Sequence, residues 1–300
     1  MSHYILIFVF SAAISYFVTP LVRSFSLKYG ILDRPNRVKI HYVPMPKAGG
    51  LAIIFAFIVS LFIYSLFIAP IKDLGLITLC LLVIGALGFY DDVAGASPSL
   101  KLSIQVLVGI ILFISGYRIG MLPYLLSLPI TLLWLSGVTN AINLQDGMDG
   151  LAAGICVFQS MAFAVIGIMR HDALLIVLGL CTAGSCLGFL KHNFHPAKIF
   201  MGDTGSMFLG FTQAFMGILV VRHAGTFIEL LIPVVVLAVP VFDTLASIFR
   251  RIFLNKDIFG ADRGHFYDIL REGRRLSYIQ VVLIAYLFSL LAGVGAICLI

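Results

Sequence analysis

Ten apolar runs, separated by short polar loops, are the feature of this sequence that most restricts its fold. A helix needs about 20 apolar residues to cross the hydrocarbon core of a bilayer. Hydrophobic residues make up 61% of the chain and charged residues 11%, whereas soluble domains are close to half apolar and a quarter charged. We therefore expect an all-α, polytopic integral membrane protein, with residues 1–300 forming a single domain. The ten predicted spans are 3–22, 50–69, 74–90, 102–117, 121–139, 151–169, 173–190, 206–221, 228–249 and 277–300.

Basic residues fall mainly on one side of this predicted topology. Of the 20 Lys and Arg residues, 16 lie in alternate loops, and each of the four opposite loops carries only one. Because loops rich in Lys and Arg remain in the cytoplasm, the first set is predicted to be cytoplasmic and both termini extracytoplasmic. The same asymmetry accounts for the net charge of +6, so we expect membrane lipids, and no nucleic acid, as partners. The predicted cytoplasmic loops are 23–49, 91–101, 140–150, 191–205 and 250–276.

Carboxylates share that face. Of the 14 Asp and Glu residues, 11 lie on the predicted cytoplasmic side, although the rule for basic residues says nothing about acids. Ionisable groups at membrane depth are costly and tend to be functional. A face that carries both signs of charge can hold a divalent metal and a polyanion together, which predicts an active site there. A transporter would instead need charges within the apolar runs, whose centres are almost free of them.

The third of these loops has the strongest polar pattern. Asn140, Asn143 and Asp146 recur every three residues, so they would share one face of a helix end. Their oxygen atoms are hard ligands that suit Mg²⁺ or Mn²⁺. A packing role is the alternative, but it explains so many amides and acids at the end of a membrane helix poorly.

Two other loops carry carboxylates beside groups that bind anions. Asp91 and Asp92 end the third run, and Lys101 follows them. Adjacent carboxylates at a helix end point in different directions, so at most one is expected to reach a given metal; a solvated helix end is the alternative. In the segment 193–206, glycines flank Asp203 and let backbone N–H groups approach an anion. The alternative there is that Asp203 caps a helix.

Taken together, five motifs on this face resemble the signature of the polyprenyl-phosphate N-acetylhexosamine-1-phosphate transferases. The resemblance runs in order from residue 30 to residue 273. The matching residues are Asp33, Pro35, Lys39, His41, Pro44, Pro46, Gly49 and Gly50; Asp91, Asp92 and Lys101; Asn140, Asn143, Asp146, Gly147, Asp149, Gly150 and Leu151; Asn193, Pro196, Ala197, 200–206 and Gly210; and Pro240, Asp243 and Thr244. Members of this family transfer a sugar phosphate from a UDP-amino sugar to a polyisoprenyl phosphate, release UMP and use Mg²⁺.

The resemblance implies a partner set and a location. It implies a UDP-amino sugar donor, an undecaprenyl phosphate acceptor and Mg²⁺ as cofactor, with Mn²⁺ as the alternative metal. The enzyme would lie in the inner (plasma) membrane with its active site facing the cytoplasm, and its lipid-linked product would initiate a cell-surface polysaccharide. A homodimer is left open.

The resemblance also implies catalytic roles for individual residues. Asp203 would be the leading metal ligand, with Asn143 beside it. Asp91 would act as a base or would position the acceptor, and Asp92 would support the site. Lys101 would stabilise a phosphate of the donor or acceptor.

Further residues match positions at which the family binds its substrates. Gly147, Met148, Asp149 and Phe200 fall where the family holds uridine, and Phe200 would stack on uracil. Interfacial anchoring is the alternative for the basic residues of the first loop. The remaining residues assigned to substrate binding are Lys39, His41, Lys47, Asn140, Asp146, Asn193, Asp262 and Arg263.

The last loop departs from the family pattern. Members with N-acetylglucosamine or muramoyl donors usually show Asp-Arg-x-His-x-His-His, but here only the first histidine is present, as His265. Tyr267 and Asp268 stand at the second and third histidine positions. This departure resembles a subset of the family that starts O-antigen-type chains on deoxy-amino sugars. We nevertheless expect His265 to be catalytic.

Three rival interpretations follow from these patterns. The first is the same reaction with a muramoyl-pentapeptide donor, which the absence of a histidine-rich last loop disfavours. The second is a transporter of lipids or nucleotide sugars, which predicts transport without UMP release. The third is an inactive scaffold of the family, which would have no chemical need for Asp91, Asn143 and Asp203 together.

Overall fold

A computed structural model describes residues 2–34, 44–255 and 264–300 of the protein. The described chain is helical except for one short antiparallel pair of strands, in which Leu32 lies opposite Pro46. The elements are α1 (Ser2–Tyr29), β1 (Leu32–Asp33), β2 (Met45–Pro46), α2 (Gly50–Phe67), α3 (Leu74–Ala94), α4 (Pro98–Ile114), α5 (Tyr124–Leu144), α6 (Leu151–Met169), α7 (Ala173–Asn193), α8 (Gly202–Val221), α9 (Phe227–Val236), α10 (Ala238–Phe253), α11 (Phe266–Asp268), a π-helical turn (Ile269–Gly273) and α12 (Tyr278–Ile297).

The helices confirm an all-α, polytopic membrane fold. Within the described ranges, eight helices are long and apolar enough to cross a membrane, and the pair α9 and α10 would make nine if it is one span. The helix α4 is apolar but shorter. Each of the ten predicted apolar runs therefore corresponds to a helix or to this pair.

The prediction of one continuous helix over 228–249 is wrong. The chain bends by 87° between α9 and α10, and Leu237 is the residue between the two helices. Pro240 explains the break, because proline has no N–H to donate to the carbonyl of Val236 and its ring crowds that carbonyl. As a result α10 starts in a new direction.

The helix α8 lies at the centre of the bundle. All of its spanning window is buried inside the protein, and it packs against α2, α3, α5, α6, α7 and α9. Gly50 on α2 and Gly88 on α3 allow this close packing, because a Cβ atom at either position would overlap the backbone of the first turn of α8. Small residues let membrane helices approach closely in this way. The first turn of α8 is therefore held tightly between its neighbours.

The predicted loops on one face do meet at one end of the bundle. The Arg23 side chain at the end of α1 donates to the carbonyl of Lys198 at 3.1 Å, and Lys47 approaches Asp92 at 3.5 Å. Gln145 reaches Asp243 on α10 at 2.8 Å. This shared end of the bundle holds the candidate site.

Candidate active site

Lys101 lies between two carboxylates from different helices. Its Nζ atom is 2.7 Å from Asp91 Oδ2, at the end of α3, and 2.5 Å from Asp203 Oδ2, in the first turn of α8. The Asp91 Oδ1 atom also accepts from the N–H of Ala96 at 2.5 Å. The three charged side chains are 18% to 28% exposed. They form a fixed charged row that solvent and a substrate can reach.

The neighbouring carboxylate, Asp92, has different partners and is almost fully buried. It accepts from the N–H of Asp203 at 3.1 Å, and from the N–H and hydroxyl of Thr204 at 2.9 Å and 2.6 Å. These groups belong to the first turn of α8, whose free N–H groups need acceptors. Asp92, rather than Asp203, therefore caps α8. Asp203 is left with its carboxylate directed to Lys101.

Asn143 and Asn140 occupy successive turns of α5 and contact different neighbours. Asn143 donates from Nδ2 to Ser206 Oγ on α8 at 2.8 Å. Asn140 donates to Gln105 Oε1 on α4 at 3.1 Å and to the carbonyl of Ser136 at 2.8 Å. Asn143 thus lies against the turn that carries Asp203, whereas Asn140 joins α4 to α5.

Asp146 belongs to the same group of carboxylates. Burial raises the pKa of Asp146 well above its usual range, and the negative charges of Asp203, Asp92 and Asp149 raise it further, while a hydrogen bond from the backbone of Gly202 opposes the shift. Like charges held close together disfavour ionisation, so these neighbours favour the protonated form of Asp146. A bound cation would remove this repulsion.

This group of oxygens suits Mg²⁺ bound partly through a substrate. In the part of the chain that the structure describes, no three His, Cys, Asp or Glu side chains converge as a ready-made metal site. Mg²⁺ does not require one, because it is usually held by one or two carboxylates together with substrate phosphates. The carboxylate of Asp203 and the amide oxygen of Asn143 are hard donors of the right type.

The segment 145–150 is tied to the segment 193–200. Asp149 Oδ2 accepts from Ala197 N at 3.0 Å and lies 2.9 Å from His195 Nδ1. Asn193 accepts from Gly150 N at 3.0 Å and donates to the carbonyl of Ile199 at 3.0 Å. The polar atoms of Asn193 and the Asp149 carboxylate therefore fix the two segments together.

The other predicted uridine-binding residues lie within these two segments. Phe200 is held next to β2, because its N–H donates to the carbonyl of Pro46 at 2.8 Å. Met148 is 5% exposed and packs in an apolar cluster with Tyr267. Gly147 is open to solvent except on the side where Tyr267 covers it.

The last loop is anchored by Asp243, which matches the family signature but has no role predicted for it from the sequence. Its carboxylate accepts from Gln145 Nε2 at 2.8 Å and from Phe266 N at 2.7 Å, and it lies 2.8 Å from His265 Nδ1. An acid inside the apolar run 228–249 was the available signal. Arg250 donates to the carbonyl of Gly264 and so also holds this loop.

An apolar groove of about 780 Å³ adjoins this anchor. It runs between α10, α12 and the segment that follows Gly264, and Asp243 and Arg250 are its only charged lining residues in the described part of the chain. Four predicted site residues, Lys39, His41, Asp262 and Arg263, lie outside the described residues.

The fold and the site together define an integral membrane protein with a carboxylate-rich, phosphate-compatible site at one end of its helical bundle. The sequence profile of Glycosyl transferase family 4 matches residues 74–221. A probable undecaprenyl-phosphate N-acetylglucosaminyl 1-phosphate transferase of Bacillus subtilis is 35% identical, over 97% of this chain and 85% of its own length. The chain therefore belongs to Glycosyl transferase family 4.

Two further relatives are named for the transfer of different sugars. A decaprenyl-phosphate N-acetylglucosaminephosphotransferase of Mycobacterium leprae is 32% identical, over 95% of this chain and 81% of its own length. A phospho-N-acetylmuramoyl-pentapeptide-transferase of Moorella thermoacetica is 33% identical, over 81% of each chain. The two relatives named for N-acetylglucosamine transfer thus align with more of this chain.

Proposed function

We propose that the protein transfers N-acetylglucosamine 1-phosphate from UDP-N-acetylglucosamine to undecaprenyl phosphate, releasing UMP and leaving a lipid-linked diphosphate sugar. The observation that carries this proposal is the row Asp91–Lys101–Asp203 at the loop end of a membrane bundle. The acceptor is confined to the leaflet and the donor is dissolved in water, so only a site at the membrane surface can hold both. The named relatives support the same reaction.

Within this site, Lys101 would neutralise a phosphate oxygen. Phosphoryl transfer depends mainly on positioning and on charge neutralisation, and a preorganised ammonium supplies both without rearrangement. Asp91 and Asp203 already hold the Lys101 Nζ atom in place. A phosphate can therefore meet a cation whose position is fixed before binding.

Asp91 would position the acceptor phosphate. A phosphate monoester has a second pKa near 6, so the acceptor is largely ionised at neutral pH and needs no strong base. The Asp91 carboxylate is held from two sides, by Lys101 and by Ala96 N. It can therefore orient Lys101 toward the attacking oxygen.

Asp203 and Asn143 would hold Mg²⁺, with Mn²⁺ as the alternative metal. Bound there with the donor diphosphate, the metal would neutralise its negative charge. Burial raises the pKa of Asp146 most, and the carboxylates of Asp203, Asp92 and Asp149 raise it further. This concentration of negative charge supports a cation at this place. Asp92 would act indirectly by fixing the turn that carries Asp203.

The apolar groove would receive the prenyl chain of the acceptor. Its lining is apolar apart from Asp243 and Arg250, and an isoprenoid chain offers only apolar surface. Phe200 would stack on uracil, which is worth about 1–3 kcal/mol by analogy with other base–aromatic pairs. The donor and acceptor would then approach the charged row from different sides.

The site would face the cytoplasm of a bacterial inner (plasma) membrane. The support is the distribution of basic residues in the sequence, of which 16 of 20 fall in the loops predicted to be cytoplasmic. Ten spans, with both termini extracytoplasmic, follow if α4 and the bent pair α9 and α10 each cross once.

A second donor is favoured by one comparison. The Moorella relative supports a muramoyl-pentapeptide donor, but the last loop of this chain has only His265 of the three expected histidines. A 6-deoxy-N-acetylhexosamine is the third donor to test. A transporter function has weaker support, because it would not require the charged row.

The test is UMP release by the purified protein in detergent with undecaprenyl phosphate and Mg²⁺. The donor panel contains UDP-N-acetylglucosamine, a 6-deoxy analogue and the muramoyl-pentapeptide donor. The expected result is UMP release that needs both acceptor and metal and is fastest with UDP-N-acetylglucosamine. Folded protein that releases no UMP with any donor would contradict the proposal.

A further inference from the structure

The last loop is held to α10 at three consecutive residues. Arg250 donates to the carbonyl of Gly264. Asp243, two turns earlier on the same helix, contacts His265 Nδ1 at 2.8 Å and Phe266 N at 2.7 Å. His265 is 4% exposed. This degree of fixation exceeds what is needed to connect two helices.

The hydrogen-bond pattern around Asp243 determines how His265 presents its ring. Both partners other than the histidine, Gln145 Nε2 and Phe266 N, are obligate donors. Asp243 thus presents acceptor oxygens to its neighbours, and an Nδ1–H on His265 would complete the set of donors around it. The ring nitrogen left for a substrate is Nε2.

Tyr267 connects the histidine ring to the loop that follows α5. Tyr267 stacks on His265, with ring centroids 5.4 Å apart and an interplanar angle of 14°. The Tyr267 hydroxyl donates to the carbonyl of Leu144 at 3.2 Å, and its ring covers Gly147. Through Tyr267, His265 thus lies beside the segment that contains Asp146. The Asp146 carboxylate is in turn close to that of Asp203.

We infer that Asp243 is a positioning residue for the transfer reaction: it fixes the tautomer and the orientation of His265, so that Nε2 faces the bound donor. The inference rests on the proposed function. Partners of this kind typically affect activity by about 10- to 100-fold when they are removed. Asp243 lines the apolar groove but contacts no reacting group, so it acts on the transfer step through His265.

The test compares Asp243→Asn with wild type in the UMP-release assay, with kcat and KM measured separately. A carboxamide cannot accept from all three donors, so His265 must change its tautomer or its orientation. We expect kcat to fall about 10- to 100-fold, with a smaller change in KM for either substrate. Leu245→Met is the matched control and should keep the wild-type kcat, because Leu245 is on the same helix, is exposed and does not line the groove.

A double mutant separates positioning from a merely structural role. His265→Ala should itself slow turnover about tenfold or more, and Asp243→Asn should then add almost nothing in that background. An independent, additional loss of kcat in the double mutant would overturn the inference. So would wild-type kcat in Asp243→Asn.

A third variant keeps the test decisive if Asp243→Asn fails to fold. His265→Asn retains a side-chain donor near Asp243 but removes Nε2, so we expect wild-type thermal stability with kcat reduced about tenfold or more. Wild-type kcat in His265→Asn would overturn the inference. Absence of UMP release from the wild-type protein would overturn the proposed function as well, which distinguishes the two failures.

Discussion

The carboxylate of Asp92 accepts both the main-chain N–H and the hydroxyl of Thr204, so that the end of α3 caps the start of α8. The adjacent residue, Asp91, contacts Lys101 instead. The two consecutive acids therefore have different roles. Asp92 fixes the backbone of Asp203, and Asp91 holds the Lys101 ammonium group in the site. The two tasks should separate by experiment.

Replacing Asp92 with alanine should reduce both stability and activity. Loss of a helix cap costs about 0.5–2 kcal/mol, and the first turn of α8 carries Asp203. We expect a lower midpoint of thermal unfolding in detergent together with reduced UMP release. Asp91→Ala is the matched control, since it should abolish activity with little change in the midpoint. Equal midpoints for Asp92→Ala and wild type would contradict the capping role.

Asp203→Asn should abolish metal-dependent turnover while the protein remains folded. The amide keeps the shape of the side chain but removes the negative charge that a divalent cation needs. UMP release over a Mg²⁺ titration measures the first effect, and thermal unfolding measures the second. Asp73→Asn, at the opposite end of the bundle where Asp73 accepts from the Tyr117 hydroxyl, is the control. Full activity in Asp203→Asn would remove this residue from the metal site.

Lys101→Met should lower kcat by about 100-fold or more, the usual effect of removing one positioned electrostatic group. The change also leaves Asp91 and Asp203 facing each other without the cation between them. Lys101→Arg keeps the charge and should retain more activity than the methionine variant. If both variants had the same residual kcat, charge would not be the contribution of Lys101.

The folded protein without metal should lose stability as the pH rises from the ordinary range of an aspartate toward neutrality. The pKa of Asp146 is raised in the fold by burial and by neighbouring carboxylates, so the native state binds more protons than the unfolded state across this range. Stability then decreases with rising pH. Thermal unfolding in chelator at several pH values measures the slope. In Asp146→Asn the slope should become shallower, and an unchanged slope would contradict this assignment.

Much of the architecture can be predicted from the sequence because each apolar run is a local signal. The runs place Asp91, Lys101, Asn143 and Asp203 at helix ends on one face, and the structure brings these ends together. The bend after Val236 escaped prediction because the run 228–249 was judged by its apolar length, without the break that Pro240 introduces.

Long-range hydrogen bonds are the part that could not be predicted. Asp92 and Thr204 are 112 positions apart, and Asp243 and Gln145 are 98 apart. The composition of a segment does not indicate which distant segment it will contact. The capping role of Asp92 and the anchoring role of Asp243 therefore emerged only from the folded chain.

Narrowing the apolar groove should weaken binding of the acceptor without affecting binding of the donor. Ala292 on α12 lines the groove, and Ala292→Phe should obstruct a prenyl chain there. Overpacking typically costs about 1–3 kcal/mol, which corresponds to roughly a 5- to 150-fold rise in KM for undecaprenyl phosphate. KM for the UDP-sugar should not change, because the donor binds at the charged row.

Leu290→Phe is the matched control for this prediction. Leu290 lies on the same helix, is 45% exposed and is not a lining residue of the groove, so its enlargement should leave both KM values unchanged. A short-chain prenyl phosphate should be less affected than undecaprenyl phosphate by Ala292→Phe, because it occupies less of the groove. If Ala292→Phe raised KM for the donor and the acceptor equally, the effect would be a general distortion of the site, and the groove would not be the acceptor channel.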